Sequence, residues 1–159
     1  MERLALERLD GSASDDTVLS MPGSRRTFIS ALTAASYARV QGANDRVQLG
    51  LIGCGLIGLR HLADFKAIDG CQIAAVCDVY QARIDQAKAD SGAGTRGYQD
   101  FRRLLDDNQI DAVVVSTPDH WHALQTIMAC AAGKDVFVEK PMTLFVKEGR
   151  WMTSAARKY

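Results

Sequence analysis

The glycines of Gly53-Cys54-Gly55-Leu56-Ile57-Gly58 stand where an apolar run, Val47–Ile52, gives way to a helical pattern, a spacing suited to holding a diphosphate. Gly53 would allow a sharp exit from a strand. Gly55 would leave the backbone bare for approach of phosphate oxygens, and Gly58 would let the helix lie close on the strand. Unpaired N–H groups around Cys54, Leu56 and Ile57, together with the helix dipole, favour negative charge there. A glycine turn alone is weak evidence. Roughly 20 residues beyond it, where a dinucleotide fold holds the adenosine ribose, a second apolar run ends Ala74-Ala75-Val76-Cys77-Asp78. The Asp78 carboxylate would accept both ribose hydroxyls and repel the extra phosphate of NADP, so NAD is the expected cofactor and NADP the alternative. Arg83, one helical turn further on, is the residue able to reverse that preference. The plainer reading of Asp78 is an N-cap for a helix starting near Gln81.

Positioning these groups requires strands alternating with helices. Five short apolar runs, Val47–Ile52, Gln72–Cys77, a weak one at Arg96–Tyr98, Ala112–Ser116 and Val136–Val138, are separated by helical stretches. The helices are expected at Leu56–Ile68, Gln81–Asp90, Phe101–Asp106, His120–Ala131 and from Leu144 towards Tyr159. This alternation predicts an α/β fold with a doubly wound parallel sheet of Rossmann type. Continuous apolar runs such as Ala112-Val113-Val114-Val115 imply strands covered on both faces.

Two further segments fall at the carboxyl ends of parallel strands, where open α/β sheets place ligands. Ser116-Thr117-Pro118-Asp119-His120-Trp121-His122 follows the fourth run and Glu139-Lys140-Pro141 the fifth. With the glycine turn upstream, their order and spacing over Arg46 to Tyr159 resemble the N-terminal domain of the Gfo/Idh/MocA family, which includes glucose-fructose oxidoreductase and inositol dehydrogenase. The resemblance implies NAD(P)-dependent hydride transfer involving a sugar or cyclitol hydroxyl. It makes Lys140 the catalytic group, in contact with the reacting hydroxyl and the cofactor, where its ammonium would stabilise alkoxide charge or relay a proton. Ser116, Thr117 and Pro118 would line the cofactor near the nicotinamide ribose, and Glu139 belongs to the same set. His122 matches the family's histidine after the Thr-Pro turn, and the resemblance places it too among the cofactor-binding residues. Without the resemblance Lys140 reads as a solvated strand-end lysine, and the histidines as caps or packing. A non-catalytic dinucleotide-binding module or redox sensor needs the glycine turn and Asp78 but not Lys140. A methyltransferase would have no use for the Thr-Pro and Glu-Lys-Pro segments.

Members of that family continue into an α+β substrate domain. The resemblance therefore implies that this chain stops before a sixth strand and lacks that domain, with weak dinucleotide binding and little turnover alone. Its oligomeric state would be set by the same absent sheet, with a homo-oligomer expected only for a full-length form. The 159 residues carry a formal net charge of +0 and 47% hydrophobic residues. That composition suits one globular domain and gives no footprint for nucleic acid or a membrane surface. Four cysteines without CxxC spacing read as packing thiols. His61, His120 and His122 lack metal-ligand spacing, so no metal is expected, and His61 reads as a helix-surface or packing residue.

Residues 1–20 read as a disordered extension, 21–44 as a signal and linker, and 45–159 as the cofactor domain. Arg25 and Arg26 precede an apolar stretch diluted by alanine, serine and threonine, too short to span a bilayer. Ser24-Arg25-Arg26-Thr27-Phe28-Ile29 resembles a twin-arginine signal. Export to the periplasm is the expectation; an amphipathic N-terminal helix on a cytoplasmic protein is the competing one.

Overall fold

The structure, a computed structural model, describes residues 46–159. The expectations for residues 1–20 and for the paired arginines lie outside the described residues. Strands β1 (Val47–Ile52), β2 (Cys71–Cys77), β3 (Arg96–Tyr98), β4 (Ala112–Val115) and β5 (Asp135–Val138) alternate with helices. These are α1 (Leu56–Lys66), α2 (Gln81–Ser91), α3 (Phe101–Leu105), α4 (Asp119–Ala131) and α5 (Val146–Lys158). The strands form one sheet in the order β3-β2-β1-β4-β5, and every pairing is parallel.

Alternate side chains of the apolar runs feed two separate cores. Ile52, Val113 and Val115 pack with Leu104 of α3 and Ala129 of α4 on one face. Leu51, Val76 and Val114 pack with Leu62 of α1 and Ile84 of α2 on the other. Continuous hydrophobicity in β4 is thus burial on two sides, as a doubly wound sheet requires. The weak run Arg96–Tyr98 is a strand because β2 gives it a partner along its whole length, Ala75 opposite Arg96 through Cys77 opposite Tyr98. β5 is an edge strand, and Phe137 on it is 49% exposed.

The element ends differ from expectation for local reasons. β2 starts at Cys71, which pairs with Val47. Ser116 lies outside β4, although its N–H still reaches Ile52 O at 2.8 Å. α1 ends at Lys66 with Ala67 as C-cap, and Gly70 turns the chain with φ +87°. α5 begins at Val146 rather than Leu144, because the Glu148 carboxylate accepts the N–H groups of Leu144 and Phe145 at 2.9 and 3.0 Å. This closes the helix start with half of a capping box.

Candidate functional site

β1 runs directly into the glycine turn at the point where the chain crosses from one side of the sheet to the other, between β1 and β4. Gly53 has φ +96°, a region that L side chains rarely enter. A side-chain carbon on Gly58 would lie 1.9 Å from Gly53 O, so the first turn of α1 is seated on the turn's own carbonyl. Gly55 is the N-cap of α1, and no side chain caps that helix start. A side-chain carbon there would point into open space, with Arg83 Nη1 the nearest atom at 4.0 Å.

Asp78 is buried and locks the turn to the end of β2. Its Oδ2 accepts the Cys54 N–H at 2.9 Å, and its Oδ1 accepts the Tyr80 N–H, also at 2.9 Å. Arg83 Nη1 stands 3.8 Å from Oδ2, with its side chain 58% exposed. The N-cap reading of Asp78 is corrected: Tyr80 is the N-cap of α2 and no side chain caps it. The carboxylate sits too far before the helix, and it is engaged by the glycine turn.

Between these groups opens a groove of about 470 Å³. Gly53, Gly55, Leu56 and Ile57 form one wall, Asp78 and Arg83 line one end, and Ser116, Thr117 and Pro118 stand opposite. Ser116 Oγ is buried with no hydrogen-bond partner among the described residues. Thr117 Oγ1 donates to Gln125 Oε1 at 2.7 Å, which fixes the Thr-Pro turn onto α4.

Sequence reasoning missed several walls. Phe101 and Trp121 meet edge to face across 6.4 Å and, with Val79, Gln99 and Gln125, complete the groove. Trp121 had one usable signal, its place one turn after Pro118. Phe101 and Gln99 had none, since only the sheet order carries the β3–α3 connection to this spot.

The remaining expected site residues stand behind or beside the groove. Cys54 and Gly58 are buried in the turn rather than on its walls. Glu139, Lys140 and His122 do not line the groove. Glu139 Oε1 lies 2.7 Å from His61 Nε2, while Oε2 accepts the Lys140 N–H at 2.7 Å. The His61 hydrogen bond holds the Glu139 carboxyl below the usual range. His61 is therefore more than a surface residue. It packs edge-on to Phe137 at 5.4 Å and ties α1 to the end of β5. Lys140 is exposed, and the Lys140–Pro141 peptide is cis.

Burial, and after it the Asp78 charge, push the Cys54 thiol up to about 12. Burial and the neighbouring Cys54 do the same for Cys77, again to about 12. A thiol with that pKa is a thiolate in only about one molecule in ten thousand at pH 8. In a native-state assay with a disulfide reagent at pH 8, Cys54 and Cys77 are expected to remain unlabelled until the protein unfolds. Rapid labelling of Cys54 would show a reactive thiol in the turn and favour the redox-sensor reading.

A parallel sheet ordered 3-2-1-4-5, with a glycine turn and a strand-end carboxylate at its crossover point, defines a dinucleotide-binding Rossmann domain. The chain belongs to the GFO_IDH_MocA family of oxidoreductases with an NAD-binding Rossmann fold, whose model matches residues 47–159. A glycosyl hydrolase family 109 protein of Shewanella sp. strain W3-18-1 is 38% identical over an alignment of 112 residues that covers 65% of this chain and 24% of that protein. The WlbA dehydrogenase of Chromobacterium violaceum, solved with NADH and UDP-GlcNAcA, is 31% identical with a TM-score of 0.68. The match covers 73% of this chain and 33% of that one. KijD10, a 3-ketoreductase of Actinomadura kijaniata solved with NADP and TDP-benzene, is 27% identical with a TM-score of 0.66, over 71% of this chain and 34% of that one. The chain thus spans about a quarter of the length of its curated relatives and a third of these solved structures.

Proposed function

We propose that the groove holds NAD, with NADP as the alternative, and that the chain is the cofactor-binding part of an oxidoreductase acting on a sugar or cyclitol hydroxyl. The carrying observation is the uncapped start of α1, where bare Gly55 faces open space between Asp78 and the orphaned Ser116 hydroxyl. These features fit a dinucleotide. First-turn N–H groups around Leu56 and Ile57 would hold the diphosphate. Asp78 has given one lone pair of each oxygen to the backbone and keeps the others for the adenosine ribose. Arg83, beside Asp78 and above Gly55, would offset phosphate charge. The nicotinamide, when bound, accepts or returns hydride. Ser116 and Thr117 would orient it, and Lys140 would hold or deliver the hydroxyl proton.

NADH binding to the chain, measured by calorimetry, tests this reading. Gly55→Ala leaves the fold in place, because the new methyl meets open space. It is expected to weaken NADH by about tenfold or more, the equivalent of one charge-assisted hydrogen bond. Wild-type protein that binds neither NADH nor NADPH would overturn the reading.

The names of the curated relatives, which include an alpha-N-acetylgalactosaminidase of Shewanella oneidensis, favour a second reading, glycoside cleavage. A dehydrogenase accumulates NADH, whereas a glycosidase releases the aglycone with no net NADH. A chromogenic N-acetylgalactosaminide and a polyol, each assayed with NAD, separate the two. We also propose export through the twin-arginine route on the strength of Arg25 and Arg26. Cell fractionation with Arg25→Lys/Arg26→Lys as control is expected to move the protein from periplasm to cytoplasm.

A further inference from the structure

His122 is 1% exposed, and both of its ring nitrogens face backbone carbonyl oxygens. Nε2 lies 2.7 Å from Thr117 O, and Nδ1 lies 2.8 Å from Pro141 O. A carbonyl oxygen only accepts, so a ring bonded to both must donate from both nitrogens. A neutral imidazole has one N–H, and its bare nitrogen would set a lone pair against a carbonyl lone pair at hydrogen-bond distance. The two segments joined in this way are the two that carry the expected chemistry. Thr117 is a wall of the groove, and Pro141 is the residue after Lys140.

We infer that His122 carries a hydrogen on each ring nitrogen and clasps the Thr117 turn to the Lys140–Pro141 strand end, making it a positioning residue for Lys140. It is not a contact for the cofactor, as the resemblance implied, because no ring nitrogen is left to meet one. Two charge-assisted hydrogen bonds act against the cost of burying an imidazolium whose partners include no carboxylate. Thr117 is already fixed on its other side by Gln125 at 2.7 Å. The backbone before Lys140 is held separately, through Glu139 and His61 of α1. Lys140 therefore stands between two histidine-anchored points, one on α1 and one on α4. That the clasp serves the reacting end of the site rests on the function proposed above; the two-donor geometry does not.

The chain has 3 histidines, so ring-¹⁵N histidine labelling gives a readable spectrum, assigned with His61→Asn and His120→Asn. At neutral pH both His122 nitrogens are expected at protonated shifts with attached hydrogens. A bare nitrogen on His122 would overturn the clasp whatever the protein binds. The second measurement compares NADH with ADP-ribose, which lacks the nicotinamide, on wild type and His122→Phe. NADH is expected to weaken by about tenfold and ADP-ribose by less than about twofold, because only the nicotinamide end depends on Lys140 and Thr117. Equal weakening of both would mark His122 as a general fold residue and sink the positioning role. Wild-type protein that binds neither compound defeats the functional reading instead, and the nitrogen spectrum still decides the two-donor geometry.

Discussion

Gly58→Ala is expected to disrupt the domain, because its new methyl carbon would fall 1.9 Å from Gly53 O. No rotamer change relieves this clash, since both partners are backbone. α1 must lift from the turn, and the turn itself is pinned by the Gly53 N–H on Cys77 O at 2.8 Å. Withdrawal would also pull buried Leu62 from the core that it shares with Val76 and Val114. Overpacking of this kind costs about 3 kcal/mol or more. For a domain of this size that is a fall in melting temperature of roughly 15 °C. Circular dichroism melts of Gly58→Ala beside Gly55→Ala make the comparison direct. The expected pattern is a large loss for the first and little change for the second. A Gly58→Ala protein that melts with wild type would mean that α1 does not need its close seat on the turn.

Asp78→Ala is expected to damage fold and binding together. The carboxylate satisfies the N–H of buried Cys54 and that of Tyr80, and alanine leaves both without an acceptor. A buried donor without a partner costs about 1–3 kcal/mol, and the exposed Tyr80 N–H recovers most of its loss from water. A total of about 2 kcal/mol follows, visible as a melting shift of roughly 10 °C, smaller than that of Gly58→Ala. Dinucleotide affinity, measured well below the variant's melting temperature, should fall further than the stability loss explains, because the ribose proposed to sit at Asp78 would also lose its acceptor. Asp78→Asn keeps one acceptor oxygen and should lie between the two proteins in both measurements. If Asp78→Ala keeps wild-type stability but loses NADH, the carboxylate serves the ligand alone and the turn holds itself.

Local spacing made much of the domain readable. The glycine turn and Asp78 could be placed because one strand end and one helix start, consecutive in sequence, must face each other. The strands could be placed because two-sided burial demands unbroken apolar runs, as in Val113-Val114-Val115. Even the weak Arg96–Tyr98 strand was legible, though its three residues gain their ladder only from β2. Element ends were read less well. Glu148 sets the start of α5 by a side chain reaching backwards, a choice that periodicity does not encode.

The residues of Glu-Lys-Pro and the histidines show where sequence runs out. Their types and spacing announced a site, and the family resemblance gave them roles in it, but not their neighbours. Nothing in the chain order says that His61 meets Glu139, which lies 78 positions away, or that His122 meets Pro141 rather than a ligand. Phe101 and Trp121 likewise became facing walls only when the strands took the order β3-β2-β1-β4-β5.

By itself the sequence determined the fold class, the glycine turn and the strand-end carboxylate, because each follows from backbone constraints acting within a few residues. Only the tertiary structure decided which polar side chains face the groove and which are spent bracing the backbone behind it. That division depends on distances between segments remote in sequence, set by the packing of helices on both faces of the sheet.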